Sequence, residues 1–474
     1  MLSVGKGQGA FTQVGRFFPF LMVFLVLVAC QGDPPVVSVT PVLSLETVEK
    51  SAPEWSRNAA IYEVNIRQYS EEGTLNEFRK SLPRLKRLGV KILWLMPVQP
   101  IGEKNRKGEL GSYYSIRDYT GVNPEFGDLG DFKRLVREAH DEGMYVILDW
   151  VANHSAWDND WARKHPDWYT QDSTGNMMPP VPDWHDVADL NYEKAGLRAA
   201  MMEAMAYWVR ETDLDGFRCD VAEMVPMDFW RAVRQRLDGI KPVFMLAEGA
   251  VPELHQAFDM TYSWRVHQMM NAIAQGKKDA TDLSALLMEE SAEFPPDAYR
   301  MQFTSNHDEN SWNGTVFERL GGGAETFAVL SAVIPGMPLI YSGQEAGLDK
   351  RLSFFDKDFI AWKSHPMFGI YQLVLAEKAV NKALWNGEAG GQLKQLPTDR
   401  EKSVFAFVRE KEGYAVLAVF NLGKTARDLK ISGQIQPGTY RGLYQEEEIV
   451  VAPGNELAFN LPAWGYKVLV RHPE

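Results

Sequence analysis

Short apolar segments alternate with amphipathic segments over most of the chain, from Trp55 to about residue 380. Several apolar segments are nearly continuous in aliphatic and aromatic residues, which is typical of parallel strands buried on both faces. The amphipathic segments place apolar residues three and four positions apart, which predicts helices that cover the sheet. Strands are predicted at 60–69, 90–98, 145–151, 214–220, 243–249, 258–264, 301–308 and 337–343. Helices are predicted at 75–88, 132–140, 191–212 and 229–237.

This alternation predicts an α/β fold in which the strands close into a (β/α)₈ TIM barrel over residues 54–385. Residues 155–190 interrupt the pattern after the third predicted strand, and they are rich in Trp, Asp and Pro. We expect this stretch to leave the barrel as a short excursion. A short excursion implies an open cleft above the barrel rather than a deep pocket.

The pattern changes to a period of two near residue 386. Two alternating segments, 403–409 and 414–421, flank Glu412 and Gly413, which is the signature of a β-hairpin. Residues 386–474 are therefore predicted to form a C-terminal antiparallel β-sandwich, with structural support as its expected role.

The N-terminus has the pattern of a targeting segment. Lys6 and Arg16 precede an apolar run at 17–29, which is shorter than the roughly 20 residues that span a bilayer. The run ends in Leu-Val-Ala-Cys and resembles the lipobox of bacterial lipoproteins, in which cleavage occurs before a lipid-bearing cysteine. Residues 1–29 are thus predicted as a signal peptide, Cys30 as the lipidation site, and 30–53 as a tether. This predicts an extracytoplasmic protein anchored by lipid to the cell envelope, with the outer membrane preferred.

Charge and cysteine content exclude two classes of protein. The net charge of −13 argues against a nucleic-acid partner, whose phosphates require a basic surface. The chain has two cysteines, so no disulfide framework is expected. With Cys30 lipidated, Cys219 has no partner and is predicted to be an inert buried thiol.

The predicted strand 214–220 places a cation and an acid among apolar residues. Its period of two puts Arg218 and Asp220 on one face, where burial is costly unless the charges are paired. Arg218 would hold Asp220 ionised, which makes Asp220 a candidate nucleophile. The stretch alone leaves a purely structural ion pair equally open.

Further acids follow the fifth and seventh predicted strands, where Glu248 and Asp308 lie. Active sites of (β/α)₈ barrels lie at the carboxyl ends of the strands, so we expect these acids to meet Asp220 there. Two motifs recur in order at such ends: Asp149 with Asn153-His154, and Gly216-Phe217-Arg218-Cys219-Asp220. Together they resemble the first and second signatures of the α-amylase family, glycoside hydrolase family 13.

The resemblance implies a role for each acid in glycoside hydrolysis. Asp220 is implied as the nucleophile, Glu248 as the acid/base, and Asp308 as a group that holds sugar hydroxyls and stabilises the transition state. Glu248 has no cation beside it in the sequence, so we expect it to hold a proton while Arg218 keeps Asp220 charged. Substrate contacts are implied for Tyr114, His154, Arg218 and His307.

The resemblance also implies a Ca²⁺ site, formed in many relatives by three oxygen ligands. The corresponding residues are Asn153, Asp189 and the backbone carbonyl of Met224, and oxygen ligands suit this cation. Glu223-Met224 stands where α-amylases have Lys-His, which is closer to the neopullulanase and oligo-glucosidase branches.

The sequence therefore predicts a retaining hydrolase that cleaves α-1,4 bonds of starch or maltodextrin. One alternative is a neopullulanase or cyclomaltodextrinase-like enzyme, or a transglycosylase or isomerase, with the same residues. A second, from a different class, is a glucan-binding surface protein without activity. The presence of Arg218, Asp220, Glu248 and Asp308 together argues against that second alternative.

Overall fold

A computed structural model describes residues 51–454 and 456–473. The predicted signal peptide, Cys30 and nearly all of the predicted tether lie outside these residues. The strands are β1 (Ile61–Val64), β2 (Ile92–Leu95), β3 (Tyr145–Trp150), β4 (His154–Ala156), β5 (Val187–Asp189), β6 (Gly216–Cys219), β7 (Phe244–Ala247), β8 (Met260–Tyr262), β9 (Tyr299–Gln302), β10 (Met337–Tyr341), β11 (Leu393–Gln395), β12 (Val404–Lys411), β13 (Tyr414–Asn421), β14 (Arg427–Ile431), β15 (Gly438–Gly442), β16 (Glu448–Val451), β17 (Leu457–Leu461) and β18 (Tyr466–Arg471).

Helices cover the outside of the barrel strands, except α5, which lies in the excursion after β3. They are α1 (Ile66–Tyr69), α2 (Leu75–Arg79), α3 (Leu82–Leu88), α4 (Leu129–Asp141), α5 (Asp160–Lys164), α6 (Ala195–Thr212), α7 (Met227–Asp238), α8 (Trp264–Ala274), α9 (Ala280–Glu293), α10 (Val316–Leu320), α11 (Ala324–Val333) and α12 (Pro366–Val380). Among the described residues, no helix has both the length and the apolar character needed to cross a bilayer.

Eight parallel strands close the predicted barrel in the order β1-β10-β9-β8-β7-β6-β3-β2. Every residue of β6 and of β7 is buried, as expected for strands with helices outside and packed side chains inside. The barrel interior is filled by apolar side chains such as Trp94, Phe244 and Met301. The predicted α/β barrel fold is confirmed.

Several predicted boundaries are wrong. The first strand was expected at 60–69, but β1 ends at Val64 and the chain turns directly into the short helix α1. The single helix expected at 75–88 is two helices, α2 and α3, because Lys80 and Ser81 separate them. Proline at the start of α3 lacks the N–H that a continuous helix would need there. The seventh strand ends at Gln302, so its polar residues lie in the loop beyond it.

The excursion after β3 is small, as predicted. It contains the paired strands β4 and β5 and the short helix α5. His154 lies opposite Asp189 in this pair, and the backbone of Leu190 donates to the carbonyl of Asn153. The excursion therefore returns to the barrel rim next to the point where it left.

The C-terminal part forms a six-stranded antiparallel sheet and a two-stranded sheet, β14 with β17, which confirms the predicted sandwich. The predicted hairpin joins β12 to β13, with Glu412 and Gly413 at positive φ angles of 50° and 84°. Arg409 of β12 is buried and donates to the backbone carbonyls of Val333 and Ile334, at 2.9 and 3.0 Å, where α11 ends. It also donates to the carbonyls of Gly391 and Trp385.

Candidate active site

Arg218 lies at the centre of a cluster of acids at the carboxyl end of the barrel. It lies in β6, its side chain is completely buried, and its guanidinium contacts three carboxylates. Nη1 lies 2.8 Å from Asp149 and 3.0 Å from Asp220, while Nη2 lies 2.9 Å from Glu248. The predicted pairing of Arg218 with Asp220 on one strand face is confirmed. Cys219, on the other face, is a buried free thiol, and burial raises its pKa well above the ordinary value.

A second layer of groups holds the base of this cluster. Asp149, at the end of β3, accepts hydrogen bonds from Trp94 Nε1 at 3.1 Å and from Tyr114 Oη at 3.0 Å. Tyr262 Oη accepts from Arg218 Nε at 3.1 Å. A buried carboxylate that accepts several hydrogen bonds is held in one position. Asp149 therefore orients the guanidinium of Arg218, with which it forms an ion pair.

His307 and Asp308 lie in the loop after β9, next to Tyr114. His307 Nε2 lies 2.9 Å from Tyr114 Oη and 3.3 Å from Asp308, and its Nδ1 contacts the buried Glu63 of β1. Burial acts to lower the pKa of His307, but Asp308 and Glu63 outweigh it and raise that pKa to about 9. His307 is therefore positively charged at neutral pH, next to the partly exposed Asp308.

His154 also lies near Asp220, with Nε2 4.0 Å from a carboxyl oxygen. Burial lowers the pKa of His154 to about 4, so this imidazole is neutral at pH 7. The two histidines thus differ in charge, although both were predicted simply as substrate contacts. A neutral imidazole can both donate and accept a hydrogen bond, whereas a charged one only donates.

The expectation that Glu248 has no cation beside it is wrong. Arg218 reaches across to the neighbouring strand, because β6 and β7 are paired, and binds Glu248 as well as Asp220. Burial, followed by the charge of Glu248, raises the pKa of Asp220 well above its ordinary value, against the effect of Arg218. Burial also acts to raise the pKa of Glu248, but Arg218 and the backbone N–H of Val221 lower it below the ordinary value. The two acids therefore compete for one guanidinium and titrate as a coupled pair.

The backbone after Asp220 is strained in a way that serves this pair. Val221 has φ of 37° and ψ of 47°, a left-handed conformation that β-branched residues rarely adopt. In this conformation its N–H donates to Glu248 Oε2 at 2.8 Å. Strain held next to a cluster of acids is typical of functional sites.

Four residues of this site were not predicted as functional: Glu63, Trp94, Asp149 and Tyr262. Glu63 had a detectable signal, because it is a lone acid within the apolar segment that forms β1. Asp149 begins the first motif but was given no role. Trp94 and Tyr262 carried no signal, since aromatic residues in barrel strands are ordinarily packing residues.

The implied calcium ligands come from three segments of the chain. Asn153 precedes β4, Asp189 ends β5, and Met224 lies in a short helix after Asp220. Asp189 accepts a hydrogen bond from Thr170 at 2.6 Å, and burial raises its pKa, a cost that a bound cation would remove. Within residues 51–454 and 456–473, no three or more His, Cys, Asp or Glu residues are grouped to hold a metal. Calcium therefore stays a prediction.

Comparison with known proteins gives concordant results. The family described as alpha amylase, catalytic domain, matches residues 52–383. An alpha-amylase structure from Lactobacillus plantarum is 32% identical, with a TM-score of 0.79, and the match covers 88% of this chain and all of the other. An alpha-amylase of Haloarcula japonica is 28% identical over 82% of this chain, which spans 60% of that relative's length. A cyclomaltodextrinase of Thermoanaerobacter pseudethanolicus is 24% identical, covering 78% of this chain and 71% of the relative. The acid cluster at the barrel rim and the family match over the barrel show that the chain belongs to the α-amylase family of glycoside hydrolases.

Proposed function

We propose that the protein is a retaining α-glucan hydrolase that cleaves α-1,4-glucosidic bonds of starch or maltodextrin. The observation that carries the proposal is the bridging of Asp220 and Glu248 by the single guanidinium of Arg218. Two carboxyl groups on one guanidinium are close neighbours. This favours the retaining geometry, with a separation of about 5–5.5 Å, over the inverting one, which needs about 6.5–9.5 Å to admit a water.

In this proposal Asp220 attacks the anomeric carbon while Glu248 gives its proton to the leaving oxygen. The covalent glycosyl-enzyme is then hydrolysed by a water from which Glu248 removes a proton. Asp308, whose side chain is 38% exposed, is free to accept hydrogen bonds from the sugar hydroxyls. His307 donates a hydrogen bond to the sugar. His154 and Tyr114 line the rest of the pocket around the sugar ring whose glycosidic bond is cleaved.

Arg218 takes a different role from the predicted one. Its side chain is 0% exposed and engaged by Asp149, Asp220 and Glu248, so it acts by positioning the carboxyls. We therefore reassign Arg218 from substrate contact to positioning residue.

The proposed roles need one proton on the pair, carried by Glu248 while Asp220 is ionised. Arg218 contacts both carboxyl groups and so favours the ionised form at either position. Because the two acids interact, the pH profile will report the pair rather than either residue.

The test of the function is a time-resolved product analysis. Maltoheptaose, starch, pullulan and cyclodextrin are each incubated with the protein, and the anomeric form of the first products is followed by NMR. We expect α-anomeric maltooligosaccharides from maltoheptaose and starch. First products in the β form would contradict the retaining mechanism.

Transfer or cyclodextrin hydrolysis is the second candidate, favoured by Glu223-Met224 and by the cyclomaltodextrinase relative. Glu223 accepts a hydrogen bond from the backbone of Ala250 at 2.6 Å, so it borders the loop after Glu248. Products longer than the substrate, an isomerised disaccharide, or faster cleavage of cyclodextrin than of starch would establish this candidate instead.

We also propose that a calcium ion held by Asn153, Asp189 and the Met224 carbonyl would tie the excursion to the segment after Asp220. Such an ion would be structural. The proton transfers proposed above do not involve it.

We further propose that lipid on Cys30 anchors the protein to the cell envelope. The lipobox-like sequence ending at Cys30 supports this assignment. Cells fed an alkyne-tagged fatty acid are expected to label the wild type and Cys219→Ser, but not Cys30→Ser, since the chain has two cysteines. Label retained in Cys30→Ser would exclude Cys30 as the lipidation site.

A further inference from the structure

A strip of aromatic rings leads from the candidate active site out to solvent. The ring of Tyr114 stacks on Phe354, with centroids 6.2 Å apart and planes 16° from parallel. Phe354 contacts Trp312 at 5.3 Å, and Trp312 contacts Phe355 at 5.8 Å. Trp312 is 52% exposed, so the strip ends in an accessible indole face.

Trp312 is held in place by its neighbours. It lies in a single π-helical turn, Glu309–Asn313, directly after Asp308. Asn310 makes two hydrogen bonds to the backbone at Lys350 and Leu352, and Ser311 donates to the carbonyl of Leu352 at 2.9 Å. These bonds fix the turn to the loop that carries Phe354. Isolated π-turns are frequent at functional sites, and here the turn projects a large apolar ring into water.

The order of strands shows which side of the cleaved bond the strip borders. Tyr114, Trp312 and Phe354 belong to loops after β2, β9 and β10, which with β1 form one half of the barrel rim. Glu248 and Glu223 belong to loops after β7 and β6, on the other half. The sugar that leaves must lie against the acid that protonates it. The aromatic strip therefore borders the sugars that stay bound through the covalent step.

We propose that Trp312 and Phe354 form a stacking platform for the glucose units next to the cleaved ring on its retained, non-reducing side. The platform makes the protein prefer substrates with two or more sugars on that side. Flat rings bind the apolar faces of sugars through area burial and CH contacts, and a rigid ring loses little entropy on binding. This inference rests on the proposed function, because it takes Glu248 as the proton donor.

The test compares substrates that share one leaving group. 4-Nitrophenyl α-glucoside places no sugar beyond the cleaved ring on the retained side, whereas 4-nitrophenyl α-maltotrioside places two. In Trp312→Ala we expect kcat/KM for the maltotrioside to fall about tenfold, with that for the glucoside unchanged. Trp312→Phe should recover most of the loss.

Phe359→Ala is the matched control. Phe359 is 42% exposed in the segment after β10, and no ring contact joins it to the strip among the described residues. It should leave both substrates unchanged. Equal loss for both substrates in Trp312→Ala, or loss for neither, would overturn the platform.

A binding measurement separates this inference from the proposed function. In the Glu248→Gln background, Trp312→Ala is expected to weaken maltoheptaose binding about tenfold by calorimetry. If the wild type binds maltoheptaose but does not cleave it, the proposed function fails. The platform would still be judged by whether Trp312→Ala weakens that binding.

Discussion

Replacement of Asp220 by Asn is expected to lower kcat/KM for maltoheptaose by on the order of 10⁴-fold or more, because the amide cannot form the glycosyl-enzyme. The substitution keeps the shape of the side chain and a hydrogen-bond acceptor for Arg218, whose Nη1 lies 3.0 Å from Asp220. It also removes one of the two carboxyl groups that compete for Arg218. We therefore expect the melting temperature to stay near that of the wild type, measured alongside reducing-sugar release.

Asp213→Asn is the control for this variant. Asp213 lies just before β6 and is 69% exposed, with an ion pair to Lys241 at 2.6 Å, so it is chemically similar but remote from the pocket. This control should keep wild-type activity. If Asp220→Asn released reducing sugar at a rate close to that of the wild type, Asp220 would not be the nucleophile.

Replacement of Glu248 by Gln is expected to slow hydrolysis of maltoheptaose by about 10²–10⁴-fold, the usual contribution of a positioned general acid. α-Maltosyl fluoride needs no proton on its leaving group, so formation of the glycosyl-enzyme from it should be nearly unaffected. Azide, which needs no general base, should accelerate turnover of that intermediate and yield an α-glycosyl azide, because it attacks the β-linked intermediate from the opposite face. A β-azide, or equal loss for both substrates, would refute the assignment of Glu248.

The pH profile gives a second readout of the Glu248 variant. Activity needs one proton on the pair formed by Asp220 and Glu248, so wild-type kcat/KM falls as pH rises and that proton is lost. Glu248→Gln carries no titrating proton donor at that position. The rate at which this variant turns over α-maltosyl fluoride should therefore not fall at high pH, unlike the kcat/KM of the wild type for maltoheptaose.

The fold was predictable because the spacing of apolar residues along each segment reflects which of its faces are buried. β6 and β7 are entirely buried and show as continuous apolar runs, whereas the hairpin of β12 and β13 shows by its turn at Glu412 and Gly413, since most residues of both strands are buried too. Errors arose where tertiary contacts set the ends of elements. Residues 303–308 looked like part of a strand, yet the chain leaves the barrel after Gln302 and places His307 within reach of Glu63.

The composition of the acid cluster was predictable, but its electrostatics were not. Arg218 and Asp220 are two residues apart, so a strand period suffices to pair them. Glu248 lies on the next strand, and sequence separation gives no indication that the same guanidinium reaches both acids. The charge of His307 depends likewise on Glu63, which is far away in the chain and buried under the site.

The hydrogen bonds of Arg409 concern whether the barrel can be produced without the C-terminal sandwich. The guanidinium of Arg409, which belongs to the sandwich, donates hydrogen bonds to carbonyl oxygens at the end of α11 and in the segment that joins the barrel to the sandwich. Shortening the chain at residue 385 would leave the carbonyls of Val333 and Ile334 without that donor in an apolar junction, at a cost of about 1–3 kcal/mol for each lost partner. The sandwich thus satisfies backbone groups of the barrel rather than being a detachable appendage, and engineered variants should be made in the full-length polypeptide.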